Sequence, residues 1–205
     1  METFSEIPDP VDWEQGRWSR RGAGPAQGHL IIAGDWAPIR LFGPQVDADP
    51  EAVYGDLLPV LRSGNLRIVN LECPLTDLDQ PAVKSGSVLK GAPGHVRGLT
   101  AVPFDLATLA NNHVFDHGVD AFRQTQELLD AHGIRAMGAG LTPGEAFRPQ
   151  VLDLNGIRLG IVNFSEGEDL TGAVRGPGVF GWEPERVRTL LDELRSVADV
   201  RVVIF

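Results

Sequence analysis

Three short apolar runs, each closed by polar side chains, constrain the fold of this chain more than any other feature. They are residues 29–35 (HLIIAGD), 66–72 (LRIVNLE) and 104–110 (FDLATLA), the last running directly into Asn111-Asn112-His113. Continuous apolar runs of this length fit strands buried on both faces, as in a parallel sheet. Helical spacing separates them. Asp49-Pro50 opens a helix predicted to reach about Leu61, with Val53, Leu57, Val60 and Leu61 on one face, and Pro50 suits a first turn. Residues 73–94 read as a loop or hairpin with two short β-like pieces, and 94–101 as a short helix. Residues 118–132 read as a helix closed by Gly133, where left-handed φ costs little. A fourth strand is predicted at 134–137. A hairpin joins 150–154 to 157–164 through Asn155-Gly156. Residues 184–197 carry Val187, Leu190, Leu191 and Leu194 at helical spacing, and a further strand spans 200–205. This alternation predicts a mixed α/β fold in layers.

The chain has 18 Lys and Arg against 28 Asp and Glu, a net charge of −10. Nucleic acid is thereby excluded as the main partner, since duplex binding needs a basic stripe. No apolar run reaches the roughly 18 residues of a membrane span, and the single Cys73 forms no internal disulfide. Residues 1–28 form an acidic arm without the apolar core of an export signal, so a cytoplasmic location is expected. Trp13 and Trp18 are expected to pack on the domain formed by residues 29–205.

In open α/β sheets ligands bind outside the carboxyl ends of the strands. Asp35, Asn70 with Glu72, and Asn111-Asn112-His113 are therefore expected to converge. Two carboxylates, an amide oxygen and an imidazole suit Mn²⁺, Zn²⁺ or Mg²⁺. Lys84 and Lys90 are the only lysines, beside 16 arginines. Lys90, ahead of Gly91-Ala92-Pro93, is a candidate to present an ammonium to an acidic substrate, against the plainer reading of a solvated loop lysine. His117 reads as solvated near the strand tip, and His29, His95 and His132 as surface or capping residues. Cys73 reads as a small core hydrophobe. Gly138-Ala139-Gly140 lacks the Lys-Ser/Thr ending of a phosphate loop.

Several of these blocks occur together and in order: Gly34-Asp35, Asn70-Leu71-Glu72-Cys73-Pro74-Leu75-Thr76, Ala110-Asn111-Asn112-His113 with Asp116 and Gly118, and Gly138-Ala139-Gly140 followed by Ala146, Arg148 and Pro149. Over residues 29–205 the chain thereby resembles the capsule-synthesis CapA family, which is tied to poly-γ-glutamate and grouped with the calcineurin-like metallophosphatases. The resemblance implies a four-layer αββα sandwich with a site for two divalent ions (Mn, Zn, Mg or Fe). Position by position, Asp35 would bind one ion, Glu72 would bridge both and Asn112 would bind the second. His113 would protonate the leaving oxygen. Asn70, Asn111 and Asp116 would surround the ions or touch substrate, as would Lys90 on the separate reading of its ammonium given above. The implied chemistry is hydrolysis of a phosphoester or related bond in an anionic small molecule or polymer. The alternative is a non-catalytic assembly or binding protein for an anionic polymer on the same fold. Calcineurin-like phosphatases usually place a histidine two residues after the first aspartate, and here that residue is Ala37. The family's later histidine blocks are expected beyond Phe205. The chain on its own is therefore expected to be inactive and to oligomerise through exposed edges.

Overall fold

A computed structural model describes residues 25–166, 172–173 and 175–205, together with the backbone of 11–12 and 17–18. The expected packing of Trp13 and Trp18 lies outside the described side chains. Strands β1 (Val11–Asp12) and β2 (Arg17–Trp18) form a short antiparallel ribbon. The body then runs β3 (Leu30–Trp36), α1 (Phe42–Ala48), α2 (Leu58–Arg62), β4 (Leu66–Leu71), α3 (Val96–Ala101), β5 (Leu106–Thr108), α4 (Gly118–Ala131), β6 (Arg135–Met137), β7 (Ala139–Gly140), α5 (Pro143–Ala146), β8 (Gln150–Leu154), β9 (Ile157–Asn163), β10 (Gly178–Val179), α6 (Pro184–Glu193) and β11 (Val200–Ile204).

Two sheets carry the architecture. The first is fully parallel, in the order β3-β4-β5-β6. The second has the order β11-β9-β8, with β8 antiparallel and β11 parallel to β9. Successive side chains of a strand point to opposite faces, and β4 divides accordingly. Leu66 and Ile68 join Leu106 and Met137 against Leu152, Leu154, Leu159 and Ile161 of the second sheet. Val69 and Leu71 pack instead with Leu99 of α3 and with Phe122 and Leu129 of α4. On the outer face of the second sheet, Val162 meets Val187 and Leu190 of α6. The layers therefore run helix, sheet, sheet, helix. The β8–β9 turn has Asn155 and Gly156 at φ 54° and 88°, the left-handed pair that a two-residue hairpin demands. No helix among the described residues is long and apolar enough to cross a membrane.

Three elements depart from expectation. Strand β3 is not buried on both faces: among the described residues it has β4 as its one neighbour, Ile32 is 50% exposed, and the pairing shifts between Ile32 and Asp35. The helix expected from Pro50 to Leu61 is broken into a 3₁₀ stretch, Ala52–Leu57, followed by α2. Gly55 sits at φ 50°, ψ −134°, and Pro59 can neither donate to nor fit against the carbonyl four residues back. Val53 and Leu61 still reach the core, while Leu57 and Val60 face solvent. The segment preceding it, α1, folds as a helix that the apolar periodicity did not mark. Between residues 73 and 92 the β-like pieces reduce to one parallel bridge, Leu75 with Gly91.

Candidate functional site

The strand tips of both sheets open on one cleft of about 670 Å³. The alternation that sends Leu66 and Ile68 inward also points Asn70 toward this space, at the end of the dry inter-sheet core. Asp35, Asn70, Glu72 and Asn112 line it from the parallel sheet, and Asn163 and Ser165 line it from the second.

Asn70 is the hub. Its Nδ2 donates to Asp35 Oδ1 at 2.8 Å and to Glu72 Oε2. Its Oδ1 accepts from Asn111 Nδ2 at 3.2 Å and from the Thr108 hydroxyl at 3.4 Å. Asn111 in turn donates to the Leu71 carbonyl at 2.8 Å. Its own Oδ1 accepts the His113 and Val114 amides at 3.1 and 2.9 Å, the local closure that makes asparagine a turn former. Asn70 and Asn111 thus have every polar atom engaged and shape the site from behind.

Asp35 and Glu72 share a single amide, and among the described residues neither forms an ion pair with a lysine or arginine. Burial, and then the neighbouring Asp35 carboxylate, push the Glu72 pKa above its ordinary value. The folded state therefore holds this proton more tightly than the unfolded chain. In the presence of chelator, stability contributed here is full at low pH and falls as pH rises from the ordinary glutamate range through the raised folded value. Glu72→Gln should consequently melt higher than wild type at pH 7, with the difference vanishing below about pH 4. Thermal scans at several pH values check this, and a difference that grows toward acid would overturn it.

His113 stands beside the cleft rather than on its lining. Its Nδ1 lies 2.6 Å from Asp116 Oδ2. Asp116 is 2% exposed, accepts the Leu89 amide at 2.7 Å and pairs with the Lys84 ammonium through Oδ1. Lys84 also donates to the Asn112 carbonyl at 2.9 Å. A carboxylate on Nδ1 holds the proton there and leaves Nε2 as the nitrogen open to a second partner. The exposed Asn112 is oriented through its backbone by the same lysine.

Sequence reasoning passed over Lys84 because its partner lies 32 residues further along the chain. It also missed Asn163, although an apolar strand ending in asparagine repeats the pattern of β4. Lys90 is not in this cleft. It bonds the Leu78 carbonyl at 2.9 Å and Asp79 at 3.1 Å, and lines a separate cavity. His117 is buried, not solvated, and accepts the Gln80 amide at Nδ1. His95 is likewise buried, its Nδ1 closing the turn at Ala92. Cys73 is fully buried, and burial pushes its thiol up to about 12, so it stays protonated and inert.

Asp35 and Glu72 supply hard oxygen donors, with the Asn112 side chain on the same cleft wall. Among the described residues no three His, Cys, Asp or Glu side chains gather as a metal cluster. Such a donor set fits a hard cation that keeps part of its water, as Mg²⁺ does when held by one or two carboxylates.

Residues 29–204 match the family model described as bacterial capsule synthesis protein PGA_cap. The chain is 23% identical over 157 residues to the PGA biosynthesis protein CapA of Bacillus subtilis, covering 75% of this chain and 41% of that protein. It is 26% identical over 163 residues to an uncharacterized protein, y4sH, of Sinorhizobium fredii, covering 71% and 35%. A probable polyglutamine synthesis accessory protein of Mycobacterium tuberculosis is 32% identical over 89 residues, covering 42% and 23%. The chain thus spans less than half the length of these curated relatives. The family match, running from the first strand of the parallel sheet to the end of β11, establishes that the chain belongs to the bacterial capsule synthesis protein PGA_cap family.

Proposed function

We propose that this chain contributes the cation-holding and proton-donating residues of a divalent-cation-assisted hydrolytic centre acting on an anionic polymer of the poly-γ-glutamate kind, with turnover assayed on a protein of the relatives' full length. One observation carries the reading. Two carboxylates are tied to one asparagine amide at the strand tips, beside an imidazole whose Nδ1 is held by a buried aspartate. Asp35 and Glu72 would hold the cation, with Asn112 on the same wall, and their oxygen donors favour Mg²⁺ or Mn²⁺ over Zn²⁺. The bound cation would supply Lewis-acid polarisation of the scissile bond. His113, as an imidazolium whose Nδ1–H is held by the Asp116 carboxylate, would deliver its Nε2 proton to the leaving atom, as general acids do. Asp116 and Lys84 keep that ring in one orientation. Two relatives are named for PGA or polyglutamine synthesis, and this directs the substrate proposal toward acidic glutamyl chains.

Calorimetric titration with Mn²⁺, together with turnover assays on a γ-linked glutamate oligomer and an aryl phosphodiester, tests the reading. Mn²⁺ binding that is lost in Glu72→Ala, with turnover abolished by chelator, is the expected result. Mn²⁺ heats that persist in an Asp35→Ala/Glu72→Ala double variant would overturn it. Oligomer binding with no turnover under any metal would favour a non-catalytic polymer-binding role.

A further inference from the structure

A second cavity, of about 800 Å³, is linked to the site through the backbone of Leu89. The Leu89 amide donates to Asp116, the support of His113, and the same residue lines this second space.

Its wall is built from donors. His95 and His117 line it, 7% and 4% exposed. In each ring Nδ1 is an acceptor, from the Ala92 amide at 3.0 Å and the Gln80 amide at 3.2 Å. An imidazole that accepts at Nδ1 carries its proton on Nε2. Burial, and then the nearby Lys90 charge, lower the His117 pKa and favour that neutral form. His117 Nε2 has no hydrogen-bond partner among the described residues. His95 Nε2 is 3.6 Å from Asp47 Oδ1, beyond a hydrogen bond. Both rings are more than nine-tenths buried, and neither Nε2, each opening on the cavity, has an acceptor among the described residues. Arg40 and Lys90 add two cations to the same wall. Arg40 is held at φ 52°, a backbone conformation uncommon for a non-glycine residue. The acidic side chains here, Asp47 and Asp79, are 63% and 80% exposed and stand toward solvent. Asp79 occupies Lys90 at 3.1 Å and can release it to an incoming acceptor. A carboxylate, which only accepts hydrogen bonds, matches such a wall.

We propose that this cavity is a subsite for a side-chain carboxylate of an acidic polymer, gripping the chain beside the Asp35–Glu72 cleft. The inference rests on the polymer-substrate reading above. Lys90 and His117 make the contact, and Asp79 acts as the internal competitor that the ligand displaces.

The test is calorimetric titration of the protein, in chelator, with a hexamer of γ-linked glutamate. Lys90→Met should weaken binding about tenfold or more, the scale of a charge-assisted contact, while Lys90→Arg retains most of it. Asp79→Asn should tighten binding by removing the competitor. Arg188→Met, which removes an exposed cation of α6 outside both cavities, should leave binding unchanged, and thermal midpoints establish that each variant is folded. Binding unchanged in both Lys90→Met and His117→Phe would overturn the proposal. So would displacement of the hexamer by inorganic phosphate at concentrations where acetate has no effect. Absence of hydrolysis with the Lys90 dependence intact would remove the hydrolytic reading and leave the subsite standing. Hydrolysis with KM unaltered by Lys90→Met would remove the subsite alone.

Discussion

Replacing His113 by alanine should lower turnover by about 10²–10⁴-fold, the usual contribution of a positioned general acid, while Mn²⁺ affinity changes little. The ring lies beside the cleft rather than on its lining, and its Nδ1 is committed to Asp116 at 2.6 Å. Only Nε2 can serve chemistry. Glu72→Ala should behave in the opposite order and lose Mn²⁺ first, because its carboxylate shares the Asn70 amide with Asp35. Asp116→Asn keeps an acceptor for the ring but leaves Lys84 without its buried partner. It should therefore reduce both turnover and stability, breaking a buried pair costing about 3–5 kcal/mol. Metal titration and kinetics on the same three preparations separate these roles. Equal metal loss in His113→Ala and Glu72→Ala would make His113 a ligand, and the acid assignment would fail.

The second large effect is structural. Gly138→Ala should destabilise the protein by about 3 kcal/mol or more, the range reached when overpacking combines with backbone strain. Gly138 has φ 90°, and a Cβ there would lie 1.9 Å from Asn163 Oδ1 and 2.9 Å from the Ala110 Cβ. Asn163 cannot yield freely. Its Oδ1 accepts the Ala110 amide at 3.0 Å and its Nδ2 donates to the Ile204 carbonyl at 3.1 Å. These bonds tie the tip of the parallel sheet to both β9 and β11 across the cleft. Moving the side chain would strand the buried Ala110 amide, which costs about 1–3 kcal/mol by itself. Urea unfolding of Gly138→Ala, Asn163→Ala and the double variant checks the argument. The double variant should cost less than the sum of the two singles, because one clash is shared. A loss below 1 kcal/mol in Gly138→Ala would show that the loop relaxes around the new methyl.

The strand–helix alternation, the Asn155-Gly156 hairpin and the polar ends of β3, β4 and β5 were all legible in the sequence. Each is a local property, set by side-chain period and by the φ that particular residues tolerate. The Asn70–Glu72 and Asn111–His113 segments are local too, so the parts of the cleft could be named before their geometry was known. What tertiary structure alone decided is how these parts are paired. Lys84 with Asp116, Asn163 with the Ala110 amide and Lys90 with a separate cavity join residues distant in sequence or depend on how loops lie. The edge position of β3 follows from sheet order, which its apolar run does not encode. The broken helix before β4 is an intermediate case: Gly55 and Pro59 stand in the sequence, while the apolar spacing of Val53, Leu57, Val60 and Leu61 points to an unbroken helix. Local chemistry sets which element forms and which groups end it. Long-range partners are chosen by packing, because a buried charge or amide must find its counterpart wherever the layers bring one within reach.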